Sequence, residues 1–125
     1  MTVVPIQSKG EIGFQLRADR TTINKGEESI LTLSATNIIT KPSMTAQFIL
    51  TIPAGVQVTS TDLVESGGGQ YSTTYTIEPG DARYISARIQ GKEKGKFIVE
   101  GRVIYHFGDV SDRHDETQVV EITVT

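Results

Sequence analysis

The chain has no cysteine and no tryptophan among its 125 residues, and only 6% of it is aromatic. Without cysteine there is neither a disulfide framework nor a thiolate metal site. The longest apolar runs cover only a few residues, far short of the ~20 that span a bilayer. Met1 to Gly10 lacks the charged and apolar blocks of a signal peptide. A net charge of −3 gives no basic field, which argues against a nucleic-acid partner held through its phosphates. Apolar residues at helical spacing are missing throughout.

What fills the chain from about Ile23 to Thr125 is a series of short alternating apolar and polar runs, each closed by turn residues. With 22% charged and 37% apolar residues the composition fits a soluble globular domain rather than disorder. Leu31, Leu33 and Ala35 alternate with Thr32, Ser34 and Thr36, the period of a half-buried strand. The same alternation runs through Phe48, Leu50 and Ile52, through Tyr71, Tyr75 and Ile77, and through Ile85, Ala87 and Ile89. The longest run sets Phe97, Val99, Gly101, Val103, Tyr105 and Phe107 on one face, with Glu100, Arg102 and His106 on the other. Val120, Ile122 and Val124 close the series facing inward.

Between the runs, Asn24-Lys25-Gly26-Glu27 and Glu78-Pro79-Gly80-Asp81 are turns, and Ser66-Gly67-Gly68-Gly69 reads as a flexible connection. Val56 and Val58 read as a short continuation of the run that ends at Ile52, and residues 38–44 as a loop. This spacing predicts an all-β antiparallel sandwich of seven to eight strands over residues 11–125. A closed barrel has the same periodicity. The expected inter-sheet core is Leu31, Leu33, Phe48, Leu50, Ile85, Ile89, Val99, Val103 and Ile122. Met1 to Gly10 is expected to be a linker or an edge strand, because Pro5 cannot donate to a central ladder.

Five segments carry a family likeness: Asn24-Lys25-Gly26-Glu27 feeding Ile30-Leu31-Thr32-Leu33, Asn37 closing that strand, Phe48 to Val56 with its Pro53-Ala54-Gly55 stop, Ile77 to Asp81, and Gly95-Lys96-Phe97 opening the long strand. In their order they resemble the immunoglobulin-like repeats of bacterial and archaeal surface-layer-like proteins and the CARDB group related to cell adhesion. The resemblance covers about Thr22 to Thr125. It implies a non-catalytic spacer or contact domain of a larger cell-surface or secreted protein, whose partners are neighbouring domains of the same chain or another protein. The chain departs from that pattern at Ile38-Ile39-Thr40-Lys41-Pro42, where those repeats have a small polar turn.

No residue set supports catalysis. The two histidines, His106 and His114, flank the final turn without a glycine-framed serine nearby. Asp109, Asp112, Asp115 and Glu116 are candidates for calcium, which takes oxygen ligands, although their spacing is not that of an EF-hand and Arg113 sits among them. Ile38, Ile39 and Met44 form an apolar cluster in a loop expected to be polar, and are candidate partner contacts. Tyr84 alone falls out of phase with its core neighbours, and is a further candidate for contact or for stacking on a glycan. No cofactor other than that calcium is expected, and no membrane span lies within the segment. The functional expectation is therefore a non-catalytic immunoglobulin-like structural or adhesion module, part of a longer exported chain. The alternatives are a carbohydrate-binding accessory module and an intracellular protein-assembly adaptor that binds through a strand edge.

Overall fold

The computed structural model describes residues 13–37, 43–108 and 113–125, and all its regular elements are strands. In chain order they are β1 (Gln15–Ala18), β2 (Thr22–Ile23), β3 (Glu28–Thr36), β4 (Met44–Thr51), β5 (Val56–Thr61), β6 (Val64–Gly67), β7 (Gln70–Ile77), β8 (Ala82–Gly91), β9 (Gly95–Phe107) and β10 (His114–Val124). They form two sheets. One has the order β1-β3-β8-β5 and the other β2-β10-β9-β4-β7-β6. Every neighbouring pair is antiparallel except β2 and β10, which run parallel through Thr22–Thr123 and Ile23–Val124.

Alternation decides which face of each strand is buried. Leu31, Leu33 and Ala35 of β3, and Ile85, Ala87 and Ile89 of β8, point toward the six-stranded sheet. Met44, Ala46, Phe48 and Leu50 of β4, with Val99, Val103 and Tyr105 of β9, point back. All nine residues expected in the core are buried. The arrangement is a sandwich of two layers. Tyr105 is buried as its phase requires, whereas Tyr71 and Tyr75 are half-buried at the border of the core. Tyr75 meets Phe48 edge-on at 6.2 Å and carries the Arg83 guanidinium 4.0 Å above its ring, so the outward side of that ring has a cation–π partner.

Gly101 sets how closely the sheets approach. A methyl group at this position would lie 2.7 Å from Leu33 Cδ2 and 3.2 Å from Leu16 Cδ2. Gly101 therefore lets two leucines of the facing sheet rest on the β9 backbone, where any larger residue would force them apart.

Eight of the ten strands answer to the expected seven or eight, and the two added ones, β2 and β6, are too short for alternation to register. Three readings are corrected. Val56 and Val58 do not continue β4; they open β5, which crosses to the other sheet and pairs with β8. The run Gly67 to Gly69 is not a slack connection but the tight turn of the β6–β7 hairpin. Gly69 has φ +80°, and a Cβ there would stand 2.6 Å from the Ile52 carbonyl oxygen, so only glycine fits. Finally, Met44 is not a loop residue: it begins β4 and is fully buried, paired with Ile77 on one side and Phe107 on the other.

The chain changes sheets between β1 and β2, and a polar network fixes the joint. Ser29 is buried, its Oγ 2.6 Å from the Arg20 carbonyl and 3.0 Å from the Asp19 carboxylate. Asp19 also accepts from the Ile30 main-chain N–H at 2.7 Å. Glu27 accepts from the Asn24 N–H at 2.8 Å and from Arg20 at 3.0 Å. The Ile30 N–H is the chief reason that the Asp19 carboxyl is held below its ordinary value, and the Asn24 N–H does the same for Glu27; burial opposes the shift in both. Farther up, β1 and β10 lie side by side across the gap between the sheets. There the Gln118 side chain donates to the Phe14 carbonyl at 2.8 Å and accepts from the Leu16 N–H at 2.9 Å. One amide thus satisfies two of the main-chain groups that Phe14 and Leu16 turn away from β3.

Two predictions follow from this packing. Leu33→Ala should cost about 2–5 kcal/mol, and Gly101→Ala about 1–3 kcal/mol through overpacking. Because the added methyl would enter the space Leu33 leaves, the double variant should cost less than the sum in chemical denaturation, and strict additivity would refute the close approach. At the joint, both carboxylates are depressed. Their stabilisation is therefore present above their ordinary values of 3.8 and 4.5 and is lost as pH falls through the lower folded-state values. Asp19→Asn and Glu27→Gln should each flatten the acid limb of a plot of melting temperature against pH.

Candidate functional site

The end of the sandwich where β9 finishes and β10 begins holds the candidates Met44, Asp115 and Glu116. Main-chain bonds organise it. The Gly80 N–H donates to the Asn37 carbonyl at 2.8 Å and the Asn37 N–H to the Asp81 carbonyl at 2.9 Å, while the buried Asn37 amide donates to the Ile77 carbonyl. Ser43 donates to Glu78 at 2.7 Å. Because Met44 pairs with Phe107, β4 and β9 meet at this end.

An open cleft of about 690 Å³ lies beside these strands, lined by Arg102, Ile104, Tyr105, Arg113, His114, Asp115 and Glu116. Tyr105 organises its floor. Its ring stacks against His114 at 5.4 Å and meets Phe107 edge-on at 5.8 Å, and its hydroxyl lies 3.3 Å from Glu116 Oε2. On the outer face Arg102 and Asp115 form an ion pair at 2.6 Å with both side chains about half exposed, which is worth at most about 1 kcal/mol. Two guanidinium groups oppose two carboxylates, so the cleft has no field of one sign to hold a phosphate or a bare cation. It can offer hydrogen bonds of both kinds. Among the described residues, no serine, threonine or cysteine lines it.

The candidate residues are dispersed. Asp115 and Glu116 are successive residues of a strand and project to opposite faces, one to Arg102 and the other toward Tyr105. These two carboxylates do not converge on one ion, and Asp109 and Asp112 lie outside the described residues. Among the described residues no group of three or more histidines and carboxylates is placed to hold a metal. His106 and His114 also face opposite ways: His114 lies on Tyr105, whereas His106 sits on the outer face beside Thr45 and Gln47, its Nδ1 buried without a hydrogen-bond partner. Ile38 and Ile39 fall outside the described residues, and Met44 belongs to the core. Tyr84 is 69% exposed on the outer face of the four-stranded sheet, opposite Ser34.

A second depression, of about 320 Å³, lies at the other end between Ile52, Pro53, Val56, Gly69 and Tyr71. Desolvation, and secondarily the Glu65 carboxylate, raise the Tyr71 hydroxyl above its ordinary value, so this group stays protonated. Sequence reasoning passed over Gln118, although the signal was available. In β10 the inward phase of Val120, Ile122 and Val124 runs back through Gln118 and Glu116, and a polar residue in a buried phase implies a partner.

No family model and no curated protein matches the chain. Its fold, however, recurs in solved structures. The full-length major pilin SpaD from Corynebacterium diphtheriae superposes with a TM-score of 0.70 at 13% identity, over 96% of this chain and 37% of the pilin. The CARDB domain of the PF1109 protein from Pyrococcus furiosus, solved in complex with di-metal ions, gives a TM-score of 0.57 at 9% identity, over 94% of this chain and 97% of that one. The ASH/PapD-like domain 7 of human CEP192 gives 0.57 at 13% identity, over all of this chain and 94% of that one. At such identities the likeness is one of architecture: the chain is an immunoglobulin-like β-sandwich of the kind found in CARDB, pilin and PapD-like domains.

Proposed function

We propose that this chain is a non-catalytic spacer and contact module, one domain of a larger cell-surface or secreted protein. The observation that carries this reading is the position of the first and last described residues. Gly13 donates its N–H to the Thr36 carbonyl at the end of the sandwich that holds the Asn37 and Gly80 turn. Thr125 lies at the opposite end, where it accepts from the Lys25 N–H and Gly91 bonds to Gly26 and Glu27. Domains attached at these two poles would stand in line, with the length of the strands between them. The 13 residues of β9 span roughly 40 Å at strand rise. Coverage of only 37% of the pilin SpaD supports the same reading, since there the shared fold is one part of a longer chain.

Tension between the ends acts along β1 and β10, which run in the same direction, so it loads their ladders in shear rather than opening them bond by bond. The carbohydrate-binding alternative has weaker support: of the four tyrosines only Tyr84 is exposed, and one ring is not a stacking platform.

Because the chain has no cysteine, handles can be placed at will. Pulled through cysteines at Gly13 and Thr125, the domain should resist a higher force than when pulled through Glu93 and Thr125, which lie at one pole and unzip β9 from β10. Equal or lower force in the end-to-end geometry would refute the spacer reading. Glycan binding abolished by Tyr84→Ala would favour the accessory module in its place.

A further inference from the structure

The sheet edges are protected unevenly. On the four-stranded sheet, β5 is broken by a register shift between Val58 and Ser60, and β1 is four residues long with its Leu16 N–H taken by Gln118. On the six-stranded sheet, β6 is short and also shifts register, between Glu65 and Gly67. Bulges, shortness and side-chain cover are the usual ways of blunting an edge. β10 has none of these over most of its length. The Thr123 N–H donates to Thr21 and the Thr125 N–H to Ile23, so odd-numbered residues turn their main-chain groups away from β9. The β9–β10 register runs without a shift from His114–Tyr105 to Val124–Gly95, which carries that alternation back along the strand. β2 covers only Thr123 and Val124. Among the described residues, therefore, nothing pairs with the main-chain groups of Asp115, Thr117, Val119 and Glu121, and Val119 is 59% exposed beside this edge.

We propose that this edge pairs with the same edge of a second copy, β10 antiparallel to β10, about a twofold axis through Thr117. Charge selects the register. Two alignments engage the whole open stretch. An axis at Gln118 would set Asp115 against Glu121 of the second copy, acid against acid, on both sides. The axis at Thr117 sets Arg113 against Glu121 twice and Asp115 against Val119. Arg113 and Glu121 are both exposed, and neither joins an ion pair among the described residues. Asp115, facing an apolar residue in this register, already has its charge met by Arg102. The result is one continuous sheet through two sandwiches, with a seam made of main-chain hydrogen bonds and a salt bridge at either end.

Sedimentation equilibrium on the whole chain tests this. The wild type should associate toward twice the 13.6 kDa of one chain as concentration rises. Thr117→Pro removes an N–H that no described residue of the single copy uses, so the variant should keep its circular dichroism and melting temperature while remaining monomeric. Arg113→Glu and Glu121→Arg should each weaken association by roughly tenfold or more, and the two together should restore it. A wild type that stays monomeric at every concentration overturns the proposal. So does a dimer that survives Thr117→Pro, or one indifferent to both charge reversals.

Discussion

The constraint on which the rest depends is the close approach of the two sheets across the β9 backbone at Gly101. Leu33 and Leu16 of the facing sheet rest directly on it, and the strands to either side take their inward phase from that contact. Val99 and Val103 flank the glycine, Leu50 pairs with it from β4, and Gln118 pairs with it from β10. Once β9 is fixed, the faces of β4 and β10 follow, because one residue of slip would expose every apolar group in them. The chemistry at the edges is a consequence of that central register.

Gln118 shows how far the consequence reaches. It lies in a buried phase of β10, yet the sheet opposite it ends at β1, so an apolar side chain there would leave the outer main-chain groups of Phe14 and Leu16 unsatisfied. The amide supplies one donor and one acceptor at strand spacing, and ties β1 to β10 across that side of the sandwich without another strand. The same phase that turns Gln118 inward turns the main-chain groups of Thr117 and Val119 outward along the sheet plane. One edge is closed by the residue whose neighbours leave the adjacent edge open.

How much of this could be read from the chain depends on length and on partners. Long strands with one buried face announce themselves, and Leu31 to Ala35, Phe48 to Leu50 and Val99 to Tyr105 all fall where alternation puts them. Two-residue β2 and four-residue β6 hold too few alternations to be seen. Val56 and Val58 were legible as strand but not as a change of sheet, since period two carries no information about which layer a strand joins. Met44 was misread because its neighbours Pro42 and Ser43 are turn residues, whereas its burial is set by Ile77 and Phe107, distant in sequence. At the candidate site the acidic cluster was legible as composition only. Opposite projection of Asp115 and Glu116 follows from strand period, but it needed the knowledge that β10 begins at His114.

The two outward-looking features of the fold act at right angles. The poles lie along the strands, with Gly13 beside Thr36 at one and Thr125 beside Lys25 at the other. The open edge of β10 lies across the strands, where contact adds main-chain hydrogen bonds without disturbing either pole. Shear between the poles is resisted by the β9–β10 ladder, and that ladder uses the even-numbered main-chain groups of β10, leaving the odd-numbered ones for lateral pairing. A strand divided in this way can carry load along one axis and make contact along another, with no group shared between the two roles.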